Sequence, residues 1–284
     1  MLTIEQGVLS PLRDWLRPHV RPRRFHVFGV GMPKTGTHSL AAVLSRYRTW
    51  HEPLIERFMH VAMQRSDGAL SDDAARALIR RLDRRMWLEV NASYVNYCLL
   101  DLLLQEYPHA KFVLTIRDCY SWLDSMFNQL LGREHSEFAM QFHQWLGDSF
   151  APGSHQEGDR ALAERGFWPL DLWLTSWKEH ATQVQAMVPG NRLLIIRTQD
   201  IQRDIPRLAG FLGIAPDTLD ASRSHDYTAA AKFRVLSEID PDYLRARVEV
   251  ICGDLMRTFF PEVRDLSDVR GYRPQDAAPL AEAS

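Results

Sequence analysis

The sequence predicts an α/β fold of three layers, in which a central, mainly parallel sheet of about four to five strands is covered by helices on both faces. Two observations predict it. Short β-rich runs alternate with runs of helical period along most of the 284 residues, the pattern that builds a parallel sheet between helices. The first of these strands leads directly into a glycine-bearing turn and then a helix.

Residues 1–24 read as a partly helical lead-in that ends in the basic cluster Arg21, Arg23 and Arg24. The first strand is FHVFGVG, 25–31. THSLAAVLSRY follows as a helix, since Leu40, Val43 and Leu44 recur at intervals of three and four. Further strands are expected at 48–50, 86–90, 111–116 and 192–197, with helical patterns between them. The stretch from about 133 to 170 breaks the rhythm with Pro152, Gly153, Gly158, Gly166 and Pro169 and no strand signal, and reads as a partly helical insertion over one end of the sheet. The small, polar tail at about 273–284 reads as disordered. The expected organisation is one domain over 1–284 with its core at about 25–260.

Composition removes several classes of function. With 34 Lys+Arg against 36 Asp+Glu the net charge is -2, so no general basic field invites nucleic acid or an anionic membrane. Cys98, Cys119 and Cys252 are too few and too scattered for a disulfide framework or a zinc cluster. No apolar run reaches the roughly 18 residues of a membrane span, and the first twenty residues carry acids and prolines where a secretion signal would be apolar. A cytoplasmic enzyme with reduced thiols is expected, and a homodimer is left open.

The loop Gly31-Met32-Pro33-Lys34-Thr35-Gly36-Thr37-His38-Ser39 lies where a parallel strand ends and a helix begins, a place where backbone N–H groups converge on an anion. Lys34 adds a point charge, and Thr35, Thr37 and Ser39 add hydroxyls. The nucleoside-triphosphatase form of such a loop ends in Gly-Lys-Ser/Thr, but here Thr37 follows Gly36 and the lysine sits inside the loop. Further on, KFVLTIRDCYSWLDS ends a strand with Arg117 and places Ser125 eight residues later, about two turns along the next helix, where a guanidinium and a hydroxyl can share one phosphate.

PKTGTHSL after a strand, followed by this Arg–Ser pair, resembles the PAPS-dependent sulfotransferases, whose loop has the form P-K-[ST]-G-T. QEYPHAKF, RLLIIRTQDI and FLGI at 211–214 extend the likeness over about residues 25–260. The resemblance implies a P-loop-like site that takes 3′-phosphoadenosine 5′-phosphosulfate (PAPS), releases 3′,5′-adenosine bisphosphate and uses no metal. Pro33 to Ser39 would hold the 5′-phosphosulfate and Arg117 with Ser125 the 3′-phosphate. Lys232 or Arg234 would supply a late basic contact. Three positions depart from the family: Cys119 stands where proline is common, and Thr198-Gln199 replace Tyr-Glu ahead of Asp200.

The acceptor must lose a proton. Trp50-His51-Glu52-Pro53 resembles the Glu-Pro pair of carbohydrate sulfotransferases, which makes Glu52 the first candidate base and His51 its neighbour and rival. Glu89, at what reads as a strand end, is a third candidate, as base or as a group that orients the acceptor. Lys34 would stabilise charge on the leaving phosphate, and Thr37 and His38 would contact the sulfuryl oxygens. Phe138, Phe142, Trp145, Trp168 and Trp173 crowd the insertion and the helix after it, favouring a small hydrophobic or aromatic hydroxyl acceptor over a glycan. His135, His143, His155 and His180 are expected on the surface. A magnesium-dependent P-loop kinase and a noncatalytic nucleotide-binding relative remain the alternatives.

Overall fold

The computed structural model describes residues 20–148, 154–224 and 232–269; the expected lead-in before Val20, the tail and the first half of the 229–235 loop lie outside the described residues. In chain order the elements are β1 (Val27–Gly29), α1 (Thr37–Val43), β2 (Thr49–His51), α2 (Ile55–Ser66), α3 (Asp72–Met86), β3 (Val90–Ala92), α4 (Val95–Cys98), α5 (Leu100–Glu106), β4 (Lys111–Ile116), α6 (Cys119–Leu131), α7 (Glu137–Asp148), α8 (Arg160–Ala163), α9 (Leu170–Met187), β5 (Leu193–Arg197), α10 (Ile205–Leu212) and α11 (Pro241–Phe259). The five strands form one parallel sheet in the order β2-β3-β1-β4-β5. The expected three-layer architecture is therefore present.

Alternation along the strands sends successive side chains to opposite faces of the sheet. Val27, Val90, Ala92, Val113 and Ile196 pack with Leu40, Val43 and Leu44 of α1 and Leu208 of α10. Phe28, Phe112 and Leu114 face the other way, onto α2, α3 and α5 through Phe58, Ile79 and Leu103. A third cluster joins α6, α9 and α11 around Trp122, Trp173, Trp177 and Met256, and removing one of these indoles costs roughly 3–5 kcal/mol. Cys119 and Cys252 are buried in it as free thiols.

β4 has the expected bounds and β2 is shifted by one residue, whereas β1 and β5 are shorter than the sequence suggests and β3 begins only at Val90. Arg76, Arg80, Arg81, Arg84 and Arg85 all lie on α3, where Arg76 pairs with Asp73 and Arg80 with Glu106. Among the described residues no helix is long and apolar enough to cross a membrane.

Candidate active site

Strand register fixes where the functional side chains emerge. Gly29 of β1 and His51 of β2 both pair with Ala92 of β3, so three strands end level, and the Glu52 N–H closes on the Ala92 carbonyl at 2.9 Å. The loop after β1, Glu52 after β2 and Arg117 after β4 thus leave the same carboxyl edge, at the point where the order of connection reverses on either side of β1. A cleft of about 1280 Å³ lies over this edge.

The phosphate loop is braced from beneath. A Cβ on Gly31 would fall 2.0 Å from Thr115 Oγ1 and 2.6 Å from Thr35 Oγ1, so only glycine clears those hydroxyls. Gly36 takes a φ of 98° at the start of α1. Trp122 Nε1 of α6 donates to the Pro33 carbonyl at 3.0 Å. The expectation that Thr35 offers its hydroxyl to a ligand is not met: that hydroxyl turns into the sheet, 2.8 Å from the Met32 carbonyl and 3.0 Å from Thr115 Oγ1. Pro33, Lys34, Gly36, Thr37, His38 and Ser39 do line the cleft.

Thr198 closes this brace. Its hydroxyl lies 2.5 Å from the Thr35 carbonyl oxygen and 3.0 Å from that of Ile116, so the residue that departs from the family pattern ties the loop to the end of β4.

On one side, α6 presents Ser121, Asp124, Ser125 and Asn128 to the cleft along a single helical face. Asp118 caps this helix, accepting from the Ser121 N–H at 2.8 Å. Arg117 Nε is 3.0 Å from Ser121 Oγ, and the Arg117 carbonyl accepts from Trp177 Nε1 at 3.0 Å, which locks the guanidinium's base. Lys232 and Arg234 reach the same wall, where the Phe233 N–H donates to Asn128 Oδ1 at 2.6 Å and Asn128 Nδ2 donates to Asp124 Oδ2 at 3.0 Å. Burial raises the pKa of Asp124, against the bond from Asn128 and the charges of Lys232, Arg117 and Arg234. Three cations, Lys232, Arg117 and Arg234, therefore act on one carboxylate in this wall.

On the other side, burial holds Lys34 down at about 8, helped by the charges of Arg133 and Arg117 and opposed by Glu52. Burial raises Glu52 above the usual glutamate value, with Arg133 and Lys34 pulling the other way. His51 Nε2 lies 3.1 Å from Thr37 Oγ1 and 3.9 Å from Glu52 Oε1, and its ring meets that of His38 edge-on with centroids 5.2 Å apart. Burial, with His38 and Lys34 beside it, lowers His51 to about 4, so the ring is neutral at neutral pH. Of the five non-glycine residues with positive φ among the described residues, Lys34, Glu52 and Arg234 all line the cleft, which is where backbone strain tends to be kept for function.

Glu89 does not join them. Because β3 starts at Val90, Glu89 sits at the opposite, amino edge, where its carboxylate accepts from the Arg24 and Arg48 N–H groups at 3.0 and 3.1 Å and pairs with the Arg48 guanidinium at 3.3 Å. It is a buried staple between β1, β2 and β3. Sequence reasoning also passed over Arg133, Asp124 and Asn128. Asp124 and Asn128 were detectable as the polar positions sharing a helical face with Ser121 and Ser125, whereas no spacing marks Arg133.

The remaining wall is apolar and belongs largely to the insertion: Phe138, Phe142, His143 and Leu146 of α7, with Trp168 and Trp173 behind them. Two histidines expected on the surface are not there. His143 stacks on Trp168 at 4.1 Å and is held at about 4 by burial, with His135 adding to the effect, and His180 is buried against Tyr97 at 4.3 Å and held at about 3 by burial. His155 is exposed as expected. Among the described residues no group of three His, Cys, Asp or Glu side chains is placed to hold a metal ion.

A family model described as Sulfotransferase domain matches residues 26–226. The chain belongs to the sulfotransferase family. The matched segment of this sulfotransferase contains all five strands, the phosphate loop, Arg117 and Ser125, whereas Lys232 and Arg234 lie beyond it. The chain is also similar to a crystal structure of a sulfotransferase from Alicyclobacillus acidocaldarius, at 18% identity over 86% of this chain and 97% of the other, with a TM-score of 0.45. No curated protein sequence matches this sulfotransferase.

Proposed function

We propose that this sulfotransferase moves the sulfuryl group of PAPS to the hydroxyl of a small hydrophobic or aromatic acceptor, by in-line displacement without a metal. The observation that carries this reading is one cleft with two charged walls, Arg117, Ser125, Lys232 and Arg234 on one and Glu52 with Arg133 on the other, joined through Lys34. A donor with a 3′-phosphate and a 5′-phosphosulfate matches that spacing of charge in kind: a cationic wall for the first, a loop with a lysine for the second.

The chemistry follows from these positions. Glu52 takes the acceptor's hydroxyl proton as that oxygen bonds to sulfur. The bond from sulfur to the 5′-phosphate oxygen breaks, and its electron pair leaves with 3′,5′-adenosine bisphosphate. Lys34 stabilises the negative charge that grows on the leaving oxygen. A carboxylate whose pKa is raised by burial is a stronger base than one in water, which suits Glu52 to the proton transfer. The aromatic wall shields the reacting oxygen from water and gives an apolar acceptor its contact surface.

Calorimetric titration with 3′,5′-adenosine bisphosphate in the absence of metal, and separately with ATP plus magnesium, tests the reading. Binding of the bisphosphate that is lost in Arg117→Ala is expected. Binding of magnesium-ATP alone would overturn it in favour of a kinase, and bisphosphate binding with no transfer and no effect of Glu52→Gln would leave a noncatalytic relative.

A further inference from the structure

We propose that His51 is a positioning residue: it keeps its ring proton on Nε2 and donates it to Thr37, so that the Thr37 hydroxyl proton points into the cleft. That the oxygen receiving this proton belongs to the donor's sulfuryl group rests on the function proposed above.

His51 Nε2 and Thr37 Oγ1 are 3.1 Å apart, and a neutral imidazole nitrogen and a hydroxyl can each give or accept, so the pair has two arrangements. Glu52 decides between them. Its Oε1 lies 3.9 Å from the same Nε2, and an ionised carboxylate accepts only. A bare nitrogen lone pair facing that oxygen is repelled, whereas an N–H is attracted. Lys34 and His38 also act on the ring, and both oppose a second proton on it, which leaves one proton, on Nε2.

Two consequences follow for the site. With Nε2–H donating, the Thr37 oxygen has accepted, and its own proton is directed away from His51; Thr37 opens α1 and lines the cleft, where an anion needs donors. The opposite arrangement would spend that proton on His51 and turn lone pairs toward the anion. On His51 the nitrogen that faces Glu52 and Thr37 has no lone pair to offer, and only Nδ1 keeps one.

The test begins with long-range proton–nitrogen spectra of the nitrogen-15-labelled full chain, with His51 assigned by the signal lost in His51→Gln. A singly protonated ring with its proton on Nε2, unchanged through neutral pH, is expected. A proton on Nδ1, or a doubly protonated ring near neutral pH, would overturn the proposal. Calorimetry with PAPS supplies the second readout. His51→Ala and Thr37→Val should each weaken binding by about tenfold, the double variant by no more, and His51→Gln, whose amide can donate in place of Nε2–H, by less than about threefold. Additive losses approaching about a hundredfold, or a glutamine variant as poor as alanine, would show that the two residues do not act as a unit. If the unaltered chain fails to bind PAPS at all, the donor assignment falls while the spectra still decide the tautomer.

Discussion

The hydroxyl of Thr198 reaches the carbonyl oxygen of Thr35 at 2.5 Å, and so the end of β5 carries the underside of the phosphate loop. Thr198→Val keeps the shape and removes the one donor that the Thr35 and Ile116 carbonyl oxygens share. A loss of about 1–3 kcal/mol in urea denaturation is expected, with Thr198→Ser close to the parent. Equal stability of the two variants would show that the loop stands without this brace.

Lys34 should set the alkaline limb of activity. The free protein holds it near 8, so kcat/KM falls as pH rises through that value and the ammonium is lost. Lys34→Arg, charged throughout, should flatten the limb while lowering its maximum, and Lys34→Ala should cut turnover by far more than PAPS affinity. Equal losses in turnover and affinity would make Lys34 a binding residue only.

As the proposed base, Glu52 has to be ionised, so its loss on acidification should begin at a higher pH than an ordinary glutamate would give, because burial raises it. A pH profile of kcat/KM should show this acidic limb. Glu52→Gln should lower kcat by roughly a hundredfold or more and remove the limb, while bisphosphate affinity stays near that of the parent.

Asn128 should matter to the donor without touching chemistry. It holds the Phe233 N–H at 2.6 Å and thereby the segment that bears Lys232 and Arg234. Asn128→Ala should weaken bisphosphate binding, read by calorimetry, about tenfold, with little change in kcat at saturating donor.

His180 offers a test of burial. Held at about 3 in the folded chain against about 6.5 unfolded, it takes up a proton on unfolding at any pH between these values, so stability falls as pH drops below about 6.5. Between about pH 7 and about pH 5 this one residue should account for about 2 kcal/mol in urea melts, and His180→Leu should remove that share.

Much of this was legible in the amino-acid order, and the failures have physical reasons. The loop around Lys34 and the Arg117–Ser125 pair could be read because strand, glycine turn and helix period leave strong local marks. Glu89 was misplaced because a shift in where β3 starts moves a residue from one edge of the sheet to the other, and nothing local records that register. Thr35 looked like a ligand donor because its neighbours are; only the close approach of Thr115 turns its hydroxyl inward. His143 and His180 read as surface residues because burial by distant aromatic rings is a tertiary fact. Arg133 carries no pattern, and becomes visible only through the charges it acts upon.

The strained backbone at Lys34, Glu52 and Arg234 makes the site a standing conflict between endurance and work. Each left-handed residue costs on the order of 1–2 kcal/mol against a relaxed conformation, out of about 5–15 kcal/mol that holds a whole domain folded. Selection of this chain for heat resistance alone would therefore favour glycine at these three positions early, and the survivors would be sturdier proteins that had given up three of the side chains lining the cleft.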